Sequence, residues 1–241
     1  MHLSRRSLRL PFTVPHLYAV TYQASSYTNT SSRQLGIALP EELGRAVAKR
    51  KASFLAGRHC ARGALADAGV RGSTSLGIGI NRSPIWPPGF GGSITHTANF
   101  AAATVDLSCE VAGIGIDVES IMDADTCRVV GNQVMVPEDW TSAPWSDGSS
   151  ERSFVSLVFS AKEAIFKCLY PLVGAYFDFE HVALVQIDPI RGQFRFRVLR
   201  DLSRTIRAGF EADGNFAIIP EGVLTFVALA RSPSFGCPIG E

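Results

Sequence analysis

The chain has no paired-cysteine motif, no membrane-length apolar run and almost no net charge. Its five cysteines, Cys60, Cys109, Cys127, Cys168 and Cys237, are odd in number and scattered. No C-x-x-C and no nearby pair of histidines accompanies them, which argues against a disulfide framework and a zinc site. Buried thiols in a reducing compartment are expected instead. No apolar run approaches the roughly 20 residues that span a bilayer. The N-terminus carries Arg5, Arg6 and Arg9 without the apolar stretch or small-residue cleavage site of a signal peptide, so a cytoplasmic protein is expected. Neither a membrane nor a nucleic-acid partner is expected. Walker A and kinase-type glycine motifs are also missing, which disfavours the common nucleotide phosphotransferases.

What is present is a chain of 241 residues, 46% hydrophobic, enough for one large domain or two small lobes. The net charge of +1 conceals a division. Residues 1–113 hold twelve Lys and Arg against five Asp and Glu, a net +7, whereas residues 114–241 hold eleven against seventeen, a net −6. A basic half joined to an acidic half suits a polyanion held on one side and a cation on the other, although chance segregation of surface charge gives the same pattern.

Leu17–Ala24 reads as a strand, followed by a Ser/Thr/Asn-rich loop over Ser25–Ser32. Leu43–Ala68, rich in alanine and free of proline, reads as a long helix. The prolines and glycines of Asn81–Gly92 predict a rigid, irregular loop around Trp86. Strands are expected at Ser93–Thr97, Phe100–Leu107 and Val111–Glu119. Ser142–Ser150 reads as a surface loop, and Glu151–Tyr170 as a second long helix stopped by Pro171. Strands at His181–Asp188, Gln193–Arg200, Arg207–Glu211, Phe216–Ile219 and Val223–Ala230 complete the chain, with Asp213-Gly214 and Pro220-Glu221-Gly222 as turns. Each half offers one long helix and several strands. The prediction is therefore an α+β fold of two similar lobes, 1–113 and 114–241, with the seam near Gly113.

Four groups of residues could carry chemistry. In the first helix, at about 100° per residue, Val47, Phe54, Ala61 and Leu65 form one stripe, with Arg50, Arg58 and Arg62 in the same third of the circumference. Lys49, Ser53 and Asp67 fall opposite. Arginines beside a core stripe need compensation, from a phosphate, from an acidic neighbour or by snorkelling. In Val111–Glu119, Asp117 and Glu119 alternate onto one face: a hard-cation site or an ordinary strand end. In the second helix, Phe154, Val158, Ala161, Ile165 and Leu169 form the core stripe, and Glu163 and Lys167 pair at i, i+4 on another face. Finally, Thr95 and His96 end a short strand, where they can donate to a phosphate or serve as ordinary structure.

Read together, these stretches resemble the Sfp/EntD-type 4′-phosphopantetheinyl transferases, most of all the EntD-like branch, over roughly Arg45 to Val173. The resemblance is carried by Arg50-Lys51-Ala52-Ser53-Phe54-Leu55-Ala56-Gly57-Arg58-His59-Cys60-Ala61-Arg62. It is carried also by Pro84-Ile85-Trp86-Pro87 with Gly92-Ser93-Ile94-Thr95-His96-Thr97. Gly113-Ile114-Gly115-Ile116-Asp117-Val118-Glu119 and Phe159-Ser160-Ala161-Lys162-Glu163-Ala164-Ile165-Phe166-Lys167 complete it. It implies a pseudo-dimeric α+β fold with coenzyme A in the cleft between the lobes. It implies that Asp117, Glu119 and Glu163 gather around Mg2+ and that Lys167 lies near the reacting phosphate. Arg50, Arg58, Arg62, Thr95 and His96 would hold coenzyme A, with the loop containing Pro84 and Trp86 along the nucleotide. The implied partner is an apo acyl carrier or peptidyl carrier protein. Its serine would be activated by Glu163 or by a metal-held water, with adenosine 3′,5′-bisphosphate leaving. Two internal lobes lead to the expectation of a monomer. Ser53 departs from the glutamate common in relatives; on the helical wheel it falls away from Arg50 and Arg58.

Overall fold

The computed structural model describes residues 1–72, 76–79, 83–142, 148–232 and 235. The chain divides into two compact units, one of Met1–Arg9 with Val14–Leu107 and one of Leu10–Thr13 with Ser108–Glu241. Gly113, the expected seam, lies inside a strand of the second unit.

In the first unit, β1 (Leu3–Arg6), β2 (Tyr18–Tyr22), β5 (Phe90–His96) and β6 (Phe100–Leu107) form an antiparallel sheet in the order β1-β2-β6-β5. β3 (Gly77–Ile78) and β4 (Pro84–Ile85) make a separate two-stranded pair. The Pro/Gly-rich stretch is thus more regular than expected, since it contains β4 and the start of β5. A short helix α1 (Ser31–Leu35) replaces the end of the expected polar loop. The long helix α2 (Ala48–Asp67) starts five residues later than predicted, after a 3-10 turn at Glu41–Leu43. Its inner face is made of small residues, Ala52, Ala56, Cys60, Ala61 and Ala64 with Leu65, packed in one cluster with Val20, Ala101, Ala103 and Val105. Small side chains let the helix approach closely. A Cβ on Gly63 would come within 2.2 Å of the Tyr18 ring, and one on Gly57 within 2.9 Å of Ile94. The predicted stripe is rotated by this alanine face: Val47 is exposed, and Ser53, expected on the far side, is buried with its Oγ donating to Arg50 O at 3.0 Å.

In the second unit, β7 (Val111–Glu119), β8 (Val182–Asp188), β9 (Gln193–Val198), β10 (Glu211–Ile219) and β11 (Gly222–Ala230) form one antiparallel sheet in the order β7-β11-β10-β9-β8. β9 alternates strictly between exposed and buried positions, as a half-covered strand should. Asp213 and Gly214, expected in a turn, lie within β10 opposite Arg195 and Phe194. Gly214 is small because its Cβ would strike the Phe194 ring at 2.2 Å. Arg207–Phe210, expected to open a strand, belongs instead to hydrogen-bonded turns between β9 and β10.

The second long helix, α5 (Gly148–Val173), packs Leu157, Val158, Ala161, Ile165 and Leu169 in one core with Phe194, Phe196, Phe216, Val223 and Val227. It begins earlier than predicted and continues through Pro171. Gly174, at φ 72°, closes it with its N–H on Tyr170 O. Proline in the last turn removes little, because few further bonds follow it. Two helices were not expected, α3 (Ala124–Val134), capped by Asp123 on Thr126 N, and α4 (Pro137–Thr141). Of the Ser142–Ser150 loop, residues 143–147 lie outside the described residues. Cys60, Cys127 and Cys168 are buried as expected, whereas Cys109 is exposed; Cys237 lies outside the described residues. No described helix is long and apolar enough to cross a membrane.

Candidate functional site

In the second unit the site is set by glycine. Strand alternation puts Gly113, Gly115, Asp117 and Glu119 on one face of β7, the face covered by α5. A Cβ on Gly115 would lie 1.9 Å from Ala164 O, and one on Gly113 2.2 Å from Cys168 O. The helix backbone therefore rests directly on the strand. Two residues beyond the glycines, Asp117 meets the side chain of Lys167, whose Nζ donates to Asp117 Oδ1 at 2.6 Å and to Ile116 O at 3.3 Å. Asp117 is 4% exposed.

Glu119 and Glu163 share this field. Burial pushes the Glu119 carboxyl up to about 7; Asp117 and Glu163 push the same way and Lys167 opposes them. Burial likewise raises Glu163, with Asp117 adding to the rise and Lys167 countering it. Three carboxylates thus repel one another in a poorly hydrated place, with one lysine as counter-charge. Among the described residues, no group of three His, Cys, Asp or Glu side chains is arranged to hold a metal by itself. The donor set still fits magnesium chemically. Every donor is a hard oxygen, and magnesium commonly takes one or two carboxylates with phosphate oxygens and water.

Behind the carboxylates, Ser160 and Thr225 tie α5 to β11 opposite Asp117 in the strand register. Thr225 Oγ1 gives its only proton to Ser160 O at 2.9 Å, so Ser160 Oγ is the donor in their 2.9 Å side-chain contact.

In the first unit, Arg50 and His96 meet. Arg50 Nη1 donates to His96 Nε2 at 3.4 Å, a long contact. Arginine can only donate, so Nε2 is the acceptor side of this contact. Arg58 is 7% exposed. Its Cζ lies 5.3 Å from the Phe54 ring centroid, and among the described residues its Nη1 is buried without a hydrogen bond. Desolvation lowers its pKa. A buried guanidinium N–H with no acceptor is costly, and an anionic ligand would supply one. Arg62 behaves differently: its Nη1 donates to Gly36 O at 3.2 Å and fastens the end of α1. Thr95 is buried on β5. Pro84 pairs with Ile78 in the small hairpin. The Trp86 ring lies where a Cβ on Gly92 would be, 2.7 Å away, so Gly92 seats the indole.

Sequence reasoning missed one buried group in the second unit, Lys162 with Asp139. A signal was available: Lys162 directly follows the core residue Ala161, and Asp139 stands at the N3 position after Pro137, where a carboxylate caps a helix.

Comparison with known proteins shows the family. Residues 39–106 match the 4′-phosphopantetheinyl transferase N-terminal domain, and residues 113–218 match the 4′-phosphopantetheinyl transferase superfamily. The chain belongs to the 4′-phosphopantetheinyl transferase family, and its two units show the family's α+β architecture of long helices on antiparallel sheets. It is 35% identical to the 4′-phosphopantetheinyl transferase Svp of Streptomyces mobaraensis, over 76% of this chain and 73% of that one. It is 33% identical to the 4′-phosphopantetheinyl transferase PptT of Mycobacterium tuberculosis, over 77% and 83%. It is also 35% identical to enterobactin synthase component D of Salmonella typhimurium, over 66% and 64%. The protein is a transferase, and phosphopantetheinyl transfer is its class of reaction.

Proposed function

We propose that this enzyme moves the 4′-phosphopantetheine group of coenzyme A onto a serine of an apo acyl or peptidyl carrier protein. Adenosine 3′,5′-bisphosphate leaves and Mg2+ is required. The observation that carries this reading is the cluster of buried Asp117 with the half-buried Glu119, Glu163 and Lys167. Three carboxylates held against their own repulsion make sense where a cation and a polyphosphate join them.

Arg50 and His96 bind coenzyme A phosphate, and Arg58 offers a buried N–H that has no acceptor among the described residues. Thr95 donates beside them, Arg62 adds positive charge from α2, and Pro84 and Trp86 border the nucleotide. Asp117, Glu119 and Glu163 are the magnesium ligands. Magnesium, when bound, offsets charge on the pyrophosphate oxygens. Lys167 places its ammonium beside the phosphate that is attacked. Glu163, or a water held beside the metal site, would take the serine proton. The serine oxygen bonds to the phosphorus next to the pantetheine. The bond from that phosphorus to the bridging oxygen breaks, and the electron pair leaves with the nucleotide.

Service to siderophore, nonribosomal peptide, polyketide or fatty acid synthesis belongs to this proposal; one of the relatives above is named as a component of an enterobactin synthase. Work in the cytoplasm as a monomer is part of the same proposal. The direct test is the intact mass of an apo carrier protein incubated with enzyme, coenzyme A and magnesium. A gain equal to one phosphopantetheine, lost in EDTA, is expected; an unchanged mass in magnesium contradicts the assignment.

A further inference from the structure

A second pair of opposite charges, Lys162 of α5 with Asp139 of α4, is not used by the mechanism. Lys162 precedes Glu163 and is 2% exposed. Its Nζ donates to Asp139 Oδ2 at 2.7 Å, to Val134 O at 2.8 Å and to Phe179 O at 3.2 Å. An ammonium has three N–H bonds, and all three are spent inside the protein. Asp139, fully buried, is equally committed. Its Oδ2 also accepts from Val136 N at 2.8 Å, and its Oδ1 accepts from Leu184 N at 2.7 Å. Five segments meet at this pair: the end of α3, the start of α4, the 3-10 turn Phe179–His181, β8 and α5.

Stability alone does not explain such a pair. Desolvating two charges costs about as much as their attraction returns, and apolar replacements of the same volume are often as stable. What directional bonds add is orientation. The Gly113 and Gly115 contacts fix how close α5 lies to β7, but a glycine surface has no side chain to key the helix's rotation. Ser160, held by Thr225, and Lys162, held by Asp139, supply two directional contacts immediately before Glu163.

We propose that Lys162 is a positioning residue: through Asp139 it fixes the rotation of α5 that presents Glu163 and Lys167 to Asp117, and it does not touch substrate. The inference rests on the phosphopantetheinyl-transfer reading above. It distinguishes two lysines five residues apart, Lys167 at the reacting phosphate and Lys162 behind it.

The test compares Lys162→Met, Asp139→Asn and the double variant Lys162→Met/Asp139→Leu with wild type and with Val198→Ala, a core truncation on β9 that serves as a control for lost stability. Three quantities are measured at a temperature where each is folded: the urea midpoint, the coenzyme A Kd by calorimetry, and kcat and KM for carrier modification. The single variants should lose stability. The double variant should regain it, because both charges are gone. All three should keep coenzyme A Kd and carrier KM within about twofold, while kcat falls at least about tenfold, the direction expected when reacting groups are misaimed. Val198→Ala should lose stability and keep kcat. Wild-type kcat in the stable double variant would overturn the inference, since the pair would then only hold the fold. A tenfold rise in coenzyme A Kd in the Lys162 variants would overturn it too, by placing Lys162 on substrate. Should Lys162→Met not fold, Asp139→Asn and the double variant carry the same comparison. Failure of the underlying reading looks different: wild type itself would modify no carrier.

Discussion

The helices α2 and α5 have similar settings and opposite chemistry. Each lies on an antiparallel sheet within its own unit. α2 approaches its sheet through its own alanines and glycines and also carries Arg50, Arg62 and the buried Arg58. α5 keeps bulky core residues and approaches through the glycines of the strand, Gly113 and Gly115. The difference teaches where precision is needed. On the proposed function, holding a polyphosphate would take cations along a helix, which long arginine side chains can adjust. Aligning Glu163 and Lys167 on Asp117, as that proposal requires, would take a helix fixed to a strand by backbone contact, and such contact is present at Gly113 and Gly115.

The strongest way to break this contrast is to disturb the glycine seat. Gly115→Val should destabilise the second unit by about 3 kcal/mol or more, the upper range for overpacking, because the new side chain meets helix backbone and not a movable side chain. Urea denaturation measures it. Activity at the Asp117–Lys167 pair should vanish with it, while the first unit keeps its core.

Next in size are the groups on that seat. Asp117→Ala should leave essentially no turnover. Lys167→Ala should lower kcat by ~10²–10³, the scale of losing one donor to transition-state charge, with coenzyme A affinity nearly unchanged. Rates across a magnesium titration, with EDTA as control, check both. In the first unit, Arg58→Met or His96→Ala should weaken coenzyme A binding by about 1.5–3 kcal/mol, the cost of a charge-assisted hydrogen bond, read by calorimetry. Arg62→Met should cost less, because Arg62 already serves Gly36 O.

The smallest expected effect is on pH dependence. Burial raises the Glu119 carboxyl to about 7 and raises Glu163 as well. Between the ordinary carboxylate range and about 7, the native protein therefore binds more protons than the unfolded chain. Stability of the metal-free enzyme should fall as pH rises through that window. Glu119→Gln should flatten the fall, and magnesium with coenzyme A should reverse it. Thermal melts from pH 5 to pH 8 provide the comparison.

How much of this was legible in the sequence depends on what held each element. β6 and β7 fall at the predicted residues, and Asp117 and Glu119 share the predicted face, because an apolar strand with period two leaves little choice. Glu163 and Lys167 were placed by helical spacing alone. The rotation of α2 was not legible, because an alanine-rich helix has no large residues to announce its inner face, and so Ser53 appeared exposed and Val47 buried. Asp213-Gly214 has the composition of a turn, yet Gly214 is there to clear Phe194 and Asp213 to meet Arg195. Lys162 was read as part of a motif, and its burial became visible only with Asp139, contributed from 23 residues earlier.

The central claim is that the two helices divide the work, with α2 holding coenzyme A and α5 with β7 carrying out transfer. One paired measurement addresses it: coenzyme A Kd and single-turnover carrier modification at saturating coenzyme A, for Arg58→Met and Lys167→Met in parallel. The account predicts that Arg58→Met binds coenzyme A at least tenfold more weakly yet transfers at close to the wild-type rate once saturated, and that Lys167→Met binds normally and transfers about a hundredfold more slowly. Equal losses of binding and transfer in both variants would contradict it.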